Sequence, residues 1–400
     1  MTSGMASPSP AFPARDEVVA ASWRRIEALR ANMAESRIHV ALLHSPVSVQ
    51  YLTGAESLHG WPAVALITMD RVWVGRFSGG PEQLAADDEV VLRAMRGDRH
   101  EAETDDMGRS VTKALSELVG ASGRELIGVE ETLLPHWLGD VVAPFARGLI
   151  DVAEMVGTMR RRKDAVEIAT ICGNIALAQA AYVAAADLIE PGRTELEVYD
   201  AMRSAVDRFA GSAVPLGGDF TSGPGTGTTG GPASRHALVE GDSYIIDFWP
   251  SFRGYWADLC RTYPVGNCDA ALSDTILAVS DALSGVQPLL RPGTPVRELD
   301  AELRERLATN LPFATDTYSN ISGHGLGLEA HESPWIVTTS EDALAEGDVI
   351  ALEPGCYDDR LRGGVRVEDN YLVTSEGGRL LSDTSRLQPA LARPEEQARR

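Results

Sequence analysis

The sequence predicts two domains, an α/β domain followed by an α+β domain built around an acid-lined pocket. Three observations predict this. The chain has 400 residues, 44% of them apolar, which suits two hydrophobic cores. Apolar runs of strand length alternate with helix-periodic stretches up to about residue 152. Further on, two segments each read as a hairpin with an acid on either arm.

Taken in order, Asp16 to Arg37 reads as an amphipathic helix, with Val19, Trp23, Ile26, Leu29 and Met33 at helical spacing. Ile38 to Leu43 is a buried strand, and Tyr51 to Gly54 follows after a turn. Ala63 to Ile67 and Val72 to Gly75 are strands joined by the polar Met69-Asp70-Arg71. Thr112 to Val119 reads as helix, Leu126 to Val129 as strand, Trp137 to Arg147 as helix and Leu149 to Val152 as a short strand. No GxGxxG opens a helix in this part.

Met159-Arg160-Arg161-Arg162-Lys163 is a basic joint, read as a solvated linker or helix start rather than a nucleic-acid contact. Asp164 to Ile189 is a long helical pattern stopped by Pro191-Gly192. Thr194 to Phe209 is a further helix, and Thr194 with Glu197 matches a capping box. The Gly- and Thr-rich stretch Gly217 to Gly231 reads as a loop lining a pocket. It lacks GxxxxGK[ST] and has no Lys, so it is not a phosphate cradle. Ala270 to Leu290 and Val296 to Leu307 are helices, and Tyr371 to Val373 is a strand.

The chemistry lies in the hairpins. Tyr244-Ile245-Ile246 leads into Asp247, Ser251 to Gly254 reads as a turn, and Tyr255-Trp256-Ala257 leads into Asp258. A turn centred between Phe252 and Arg253 sets the two acids opposite each other. Facing side chains have Cβ atoms about 4.5–5.5 Å apart, and like charges there destabilise a sheet. Such a pair needs a counter-charge, which a metal cation supplies. Either Asp alone reads as a turn or surface acid, but the geometry occurs twice. Val349 to Glu353 and Gly364 to Glu368 are apolar runs ending in acids, and a turn centred between Arg360 and Leu361 sets Glu353 opposite Glu368. Between the hairpins, His324 lies in Ser322-Gly323-His324-Gly325-Leu326-Gly327-Leu328, where glycines let backbone approach a ligand. Four carboxylates and one imidazole make a pocket for two divalent cations.

Composition bounds the partners. The formal charge of −22 argues against a nucleic-acid surface and against an anionic membrane. Cys172, Cys260, Cys268 and Cys356 form no CxxC pair and read as free thiols in a reducing compartment. The N-terminus has no apolar run of signal length, and no stretch reaches about 18 apolar residues, so the expected location is cytoplasmic. The expected division is a flexible N-terminus at 1–15, domains at 16–157 and 158–388, and a flexible tail at 389–400.

The motifs resemble those of the pita-bread metallopeptidases, meaning aminopeptidase P, prolidase and methionine aminopeptidase. They are IIDF…WAD with ten residues between the acids, GHGLGLEAHESP, LEPG, VRVEDN and the entry segment MRRRKDAVEIATI. The resemblance is strongest from about residue 155 to 380. It implies a creatinase-like α/β N-terminal domain and an α+β pita-bread C-terminal catalytic domain. The residue matching Asp247 binds one metal with both oxygens. Those matching Asp258 and Glu368 bridge both metals, and those matching His324 and Glu353 bind the second. The resemblance further implies that His331 contacts substrate or the developing oxyanion, that Arg366 supports the bridging glutamate, and that Glu353 shuttles a proton. A homodimer is also implied.

This donor set suits manganese, with cobalt, iron and zinc also compatible. Two metals about 3.5–4 Å apart lower the pKa of a bridging water and polarise a carbonyl, so the expected reaction is hydrolysis of a short peptide or amide. One departure stands out. The peptidases carry another histidine about fifteen residues before the first ligand Asp, where this chain reads SGPGTGTTGG with Gly230 at that place. His236 is nearby but belongs to the following turn. The departure raises a second expectation, a non-peptidase on the same scaffold. That enzyme is a lyase of a small onium metabolite such as dimethylsulfoniopropionate, or a C–N hydrolase of a small metabolite like the ectoine hydrolase relatives. The cluster Trp249, Phe252, Tyr255 and Trp256 reads as hairpin packing rather than a box for an onium group. A third reading, a peptide-binding pseudo-enzyme, is opposed by the complete ligand set.

Overall fold

The computed structural model describes residues 12–56, 62–77, 83–92, 103–119, 123–227, 230–318, 320–382 and 387. Contacts divide the chain into two compact units, Pro13–Arg160 and a second formed by Arg161–Arg400 with Met1–Phe12.

The first unit runs α1 (Arg15–Glu35), β1 (Val40–Leu43), α2 (Pro46–Thr53), β2 (Ala63–Thr68), β3 (Val72–Phe77), β4 (Asp88–Leu92), α3 (Glu103–Leu118), β5 (Glu125–Val129), α4 (His136–Val142), β6 (Ala146–Asp151) and α5 (Ala153–Arg161). One six-stranded mixed sheet results, in the order β4-β3-β2-β1-β5-β6. Its strands β1 to β3 are buried on both faces, as their continuous apolar runs require. The sequence reading placed a turn where α2 stands. Its signals are local: Ser45 caps through Ser48 N–H, Pro46 takes the first helical position, and Gly54 closes the helix at φ 72°. Glu130 clasps the start of α2, accepting from Ser45 Oγ and Ser48 Oγ, each at 2.6 Å.

The second unit runs α6 (Ala165–Ala185), α7 (Glu195–Ala210), β7 (Leu216–Ser222), β8 (Ser243–Phe252), β9 (Tyr255–Trp256), β10 (Leu259–Pro264), α8 (Ala270–Val286), α9 (Val296–Asn310), α10 (Ala314–Thr317), β11 (Gly323–Gly325), β12 (Glu332–Ile336), β13 (Val349–Leu352), β14 (Gly355–Asp358), β15 (Gly363–Arg366), β16 (Asp369–Thr374) and β17 (Gly377–Leu380). One sheet is ordered β10-β8-β7 with β9 on β8, a second β12-β11-β13-β16-β17, and β14 pairs with β15. Leu283, Val286, Leu299 and Leu303 of α8 and α9 join Ile350, Leu352 and Val373 in one core beneath the five-stranded sheet. Tyr182 of α6 donates to Ile246 O, 2.9 Å, and reaches Leu259 O, bracing β8 and β10 together.

Three expectations change. The stretch read as a Gly-rich loop opens with most of β7, because its residues Gly217 to Ser222 pair with β8; Thr228 and Thr229 lie outside the described residues. The stretch Ala165–Leu188 meets the length and hydropathy test for a membrane span at mean hydropathy 1.5. More than half of it, 56%, is buried in the fold, the pattern of a core helix. Within the expected flexible N-terminus, Phe12 stacks edge-on to Phe252 at 5.0 Å and Arg15 Nε donates to Gln83 O at 2.7 Å. Apolar and charged partners hold residues 12–15; residues 1–11 and the expected tail at 389–400 lie outside the described residues.

Candidate metal centre

The second hairpin has the register its sequence implies, from Gly355 opposite Arg366 to Asp358 opposite Gly363. The first does not. Phe252 faces Tyr255, so the turn is the two-residue Arg253-Gly254. Both have positive φ, 56° and 77°, as the tightest hairpin turns require. Moving the centre by one residue sets Cys260, not Asp258, opposite Asp247. The shift preserves side-chain parity, so Asp258 becomes a diagonal neighbour on the same face. The ladder breaks there, between β9 and β10. Asn370 clamps the Asp258 backbone instead, accepting its N–H at 3.2 Å and donating to its carbonyl at 2.6 Å.

Glu353 and Glu368 occupy similar breaks, between β13 and β14 and between β15 and β16, where the chain passes from one sheet to the other. Glu353 N–H donates to Ser322 O at 2.9 Å, and its carbonyl accepts from Asn320 Nδ2 at 2.7 Å. Glu368 N–H donates to Cys260 O at 3.0 Å. The Glu368 carbonyl receives Nη1 of fully buried Arg261 at 2.6 Å, whose charge is matched by Asp369 at 2.6 Å.

His324 lies on β11 between β12 and β13. Its flanking glycines serve strand packing rather than ligand approach, a correction to the sequence reading. A Cβ on Gly323 would lie 2.1 Å from Ala351 O, and one on Gly325 2.2 Å from Ser333 O. His324 Nδ1 is 3.0 Å from Gly325 O, a pure acceptor, so Nδ1 carries the proton and Nε2 offers its lone pair. Nε2 faces Glu353 Oε1 at 3.5 Å, Asp258 Oδ2 at 3.7 Å and Glu368 Oε1 at 3.8 Å. A backbone carbonyl on one ring nitrogen and carboxylates around the other is the arrangement of a metal-binding imidazole.

The five expected ligands converge. Ligand atoms of His324, Glu353 and Glu368 lie within 4.8 Å of one another, as do those of Asp247, Asp258 and Glu368. Asp247 Oδ1, Asp258 Oδ1 and Glu368 Oε1 are buried without a hydrogen-bond partner, an arrangement that ordinary buried carboxylates avoid. Burial pushes the Asp247, Asp258 and Glu368 carboxyls upward and Glu353 to about 8. Burial, with His331 alongside, pushes His324 down to about 4. The protein thus compensates the anionic forms only in part, and divalent cations fit the donors left over.

Arg366 supplies the one cation facing these acids among the described residues. Its Nη2 pairs with Asp247 Oδ2 and lies 3.4 Å from Asp219 Oδ2, while Nη1 lies 3.4 Å from Tyr357 Oη. The resemblance assigned it to Glu368; here its charge goes to Asp247. His331 is exposed, with its ring 4.2 Å from that of His324 and parallel to that of Trp335 at 6.3 Å.

Two residues escaped the sequence reading. Asp219 lies in the stretch read as a loop, yet β7 sets it opposite Asp247. An acid inside a strand-length run was its one signal. Gly230 lies against it: a Cβ there would be 2.1 Å from Asp219 Oδ2, so no histidine fits that place while Asp219 holds it. His236 is exposed and is held by its backbone to Ser234 and Glu195, away from the ligand groups. The aromatic cluster is dispersed: Phe252 meets Phe12, Tyr255 donates to Glu167 at 3.1 Å, and Trp249 covers Gly217.

The second missed residue is Lys163. The basic joint is not a solvated linker there: Arg161 pairs with Asp348 at 2.7 Å and Lys163 with Glu332 at 2.6 Å. Lys163 and Glu332 side chains are 1% and 8% exposed, and Glu332 adjoins His331. Lys163→Met therefore takes the ammonium away from a buried carboxylate, at a cost of about 3–5 kcal/mol. At roughly 2–4 °C per kcal/mol, the expected loss in Tm is about 6–20 °C by calorimetry. Adding Glu332→Leu restores much of it; a double variant no more stable than Lys163→Met refutes the assignment.

Comparison with known proteins bears on this centre. The profile of metallopeptidase family M24 matches residues 174–375, and that of the creatinase/prolidase N-terminal domain matches residues 25–161. The uncharacterised peptidase YqhT of Bacillus subtilis (strain 168) is 26% identical over 362 residues, covering 90% of this chain and 97% of that protein. The Xaa-Pro dipeptidase of Pyrococcus furiosus is 27% identical over 367 residues, covering 90% and 98%. The prolidase structure from Pyrococcus horikoshii OT3 superposes with a TM-score of 0.77 at 24% identity, over 92% of this chain and 100% of that one.

Proposed function

We infer that this chain, which belongs to metallopeptidase family M24, is a metal-dependent hydrolase that cleaves short peptides ahead of proline. The fold expected from the resemblance, a creatinase-like N-terminal domain and a pita-bread C-terminal domain, is the one matched. The observation that carries the reading is His324 Nε2 aimed at Asp258, Glu353 and Glu368. The substrate class comes from relatives whose names are Xaa-Pro dipeptidase. Those names do not favour the lyase or metabolite-hydrolase alternative.

In this reading Asp247, Asp258, His324, Glu353 and Glu368 hold two divalent cations, and the oxygen-rich donor set favours manganese. Bound there, the cations supply Lewis acidity and activate water near neutral pH. Arg366 orients Asp247 through its guanidinium. Glu353 moves a proton toward the leaving nitrogen. His331, exposed beside His324, donates to the developing oxyanion. Domain boundaries at 157/158 and 388/389, a homodimer, and a cytoplasmic location for four unpaired thiols complete the proposal.

The test is hydrolysis of Ala-Pro and of an Xaa-Pro tripeptide by manganese-loaded protein, against a metal-stripped control. Metal-dependent release of the first residue is expected, and the ratio between the two substrates separates dipeptidase from aminopeptidase. Two bound metals with no cleavage of either peptide overturns the reading.

A further inference from the structure

Asp219 is a fifth carboxylate on the wall of the metal centre, and nothing in the ligand groups uses it. Its partner across the β7–β8 ladder is Asp247, so both side chains leave the same face of the sheet. Among the described residues its hydrogen-bond partner is Arg366 Nη2, at 3.4 Å, and that group is more closely engaged with Asp247. The Asp219 side chain is 22% exposed, against 8% for Asp247 and 10% for Arg366. It is therefore the member of this trio that opens toward solvent. Gly230, whose backbone lies against Asp219, has no side chain of its own to cover it.

Together the five carboxylates match two divalent cations and the Arg366 guanidinium. Within that set the contact from Arg366 to Asp219 is a long one, 3.4 Å, so the Asp219 carboxylate keeps hydrogen-bonding capacity on its solvent-exposed side, where an incoming cationic group can use it. We propose that Asp219 is a specificity-determining residue that favours peptides whose first residue carries a cationic side chain, lysine or arginine, and disfavours an acidic one. The inference rests on the peptidase reading above.

The experiment compares Lys-Pro, Ala-Pro and Glu-Pro in the wild-type protein and in Asp219→Asn. All three share the α-ammonium and the proline, so only the first side chain varies. The expected result is a wild-type kcat/KM order of Lys-Pro, Ala-Pro, Glu-Pro. In the variant the Lys-Pro to Ala-Pro ratio falls about tenfold, through KM, as loss of one half-buried charge pair implies. The Glu-Pro to Ala-Pro ratio rises. Each ratio is taken within one sample, so a reduced folded fraction leaves it unchanged. Should the variant yield no active protein, raising salt from about 50 mM to about 500 mM on the wild type must narrow the Lys-Pro preference. Equal ratios in wild type and variant, or a salt-insensitive preference, overturn the proposal and leave Asp219 as a prop for Arg366. A wild type that cleaves none of the three removes the peptidase reading itself, and this inference with it.

Discussion

Glu368→Gln is expected to abolish turnover and to empty both halves of the proposed metal centre. Glu368 belongs to the group with His324 and Glu353 and also to the group with Asp247 and Asp258, so one substitution removes a donor from each. Its backbone is pinned to Cys260 and Arg261, so the shorter reach of a neighbouring acid cannot replace it. Losing metal-derived stabilisation of about 4 kcal/mol or more lowers kcat/KM at least about a thousandfold. Elemental analysis should find less than one metal per chain. Compared metal-free, the variant should fold at least as well as the wild type, because a neutral amide replaces a carboxylate that burial opposes. Full metal content with turnover within tenfold of wild type would falsify the assignment of Glu368. Asp258→Ala should behave alike, since Asp258 too faces His324 and joins Asp247.

Chelation should reverse the way stability responds to pH. In the metal-free protein the Glu353 carboxyl titrates at about 8, above its unfolded value of 4.5, and Asp258 and Glu368 are shifted the same way. The folded state then binds more protons than the unfolded state, so stability falls as pH rises through that interval. His324 acts oppositely, its folded value of about 4 lying below the unfolded 6.5, and its opposing slope is halved at 6.5 and fades over about the next pH unit. Between about 6.5 and 8 the carboxylates outweigh it, and the chelated protein should lose Tm. Manganese-loaded protein should gain Tm across the same interval, because cations bind the deprotonated ligands. At metal concentrations about 100 to 1,000 times Kd the gap amounts to about 3–4 kcal/mol. Calorimetry at pH 6.5 and 8, with and without chelator, reads both slopes. A chelated protein that gains Tm over this range contradicts the only partly compensated burial of these acids.

The two hairpins show how far local pattern reaches. In the second, the polar run from Asp358 to Gly363 marks its own turn, and the ladder has the register that this turn implies. In the first, Arg253 adopts the left-handed conformation beside Gly254. An arginine gives no local sign of that. The turn moved by one residue, but strand parity returned Asp258 to the face of Asp247. The α2 helix was legible from Ser45, Pro46 and Gly54 and was overlooked. By contrast, Lys163 looks like any basic residue at a joint, and only its burial against Glu332 distinguishes it.

The sequence by itself determined the chemistry: four acids and a histidine, their order, and the apolar runs that carry them. It also determined the two-domain plan, since strand and helix periodicity are properties of neighbouring residues. The tertiary structure decided which atoms meet. Asp258 is turned by Asn370, Glu368 by Cys260 and Arg261, and Asp219 by pairing with β8. Most of these contacts join residues more than a hundred positions apart. Their energies come from burial and from hydrogen bonds closed across the fold, which no local stretch of chain encodes.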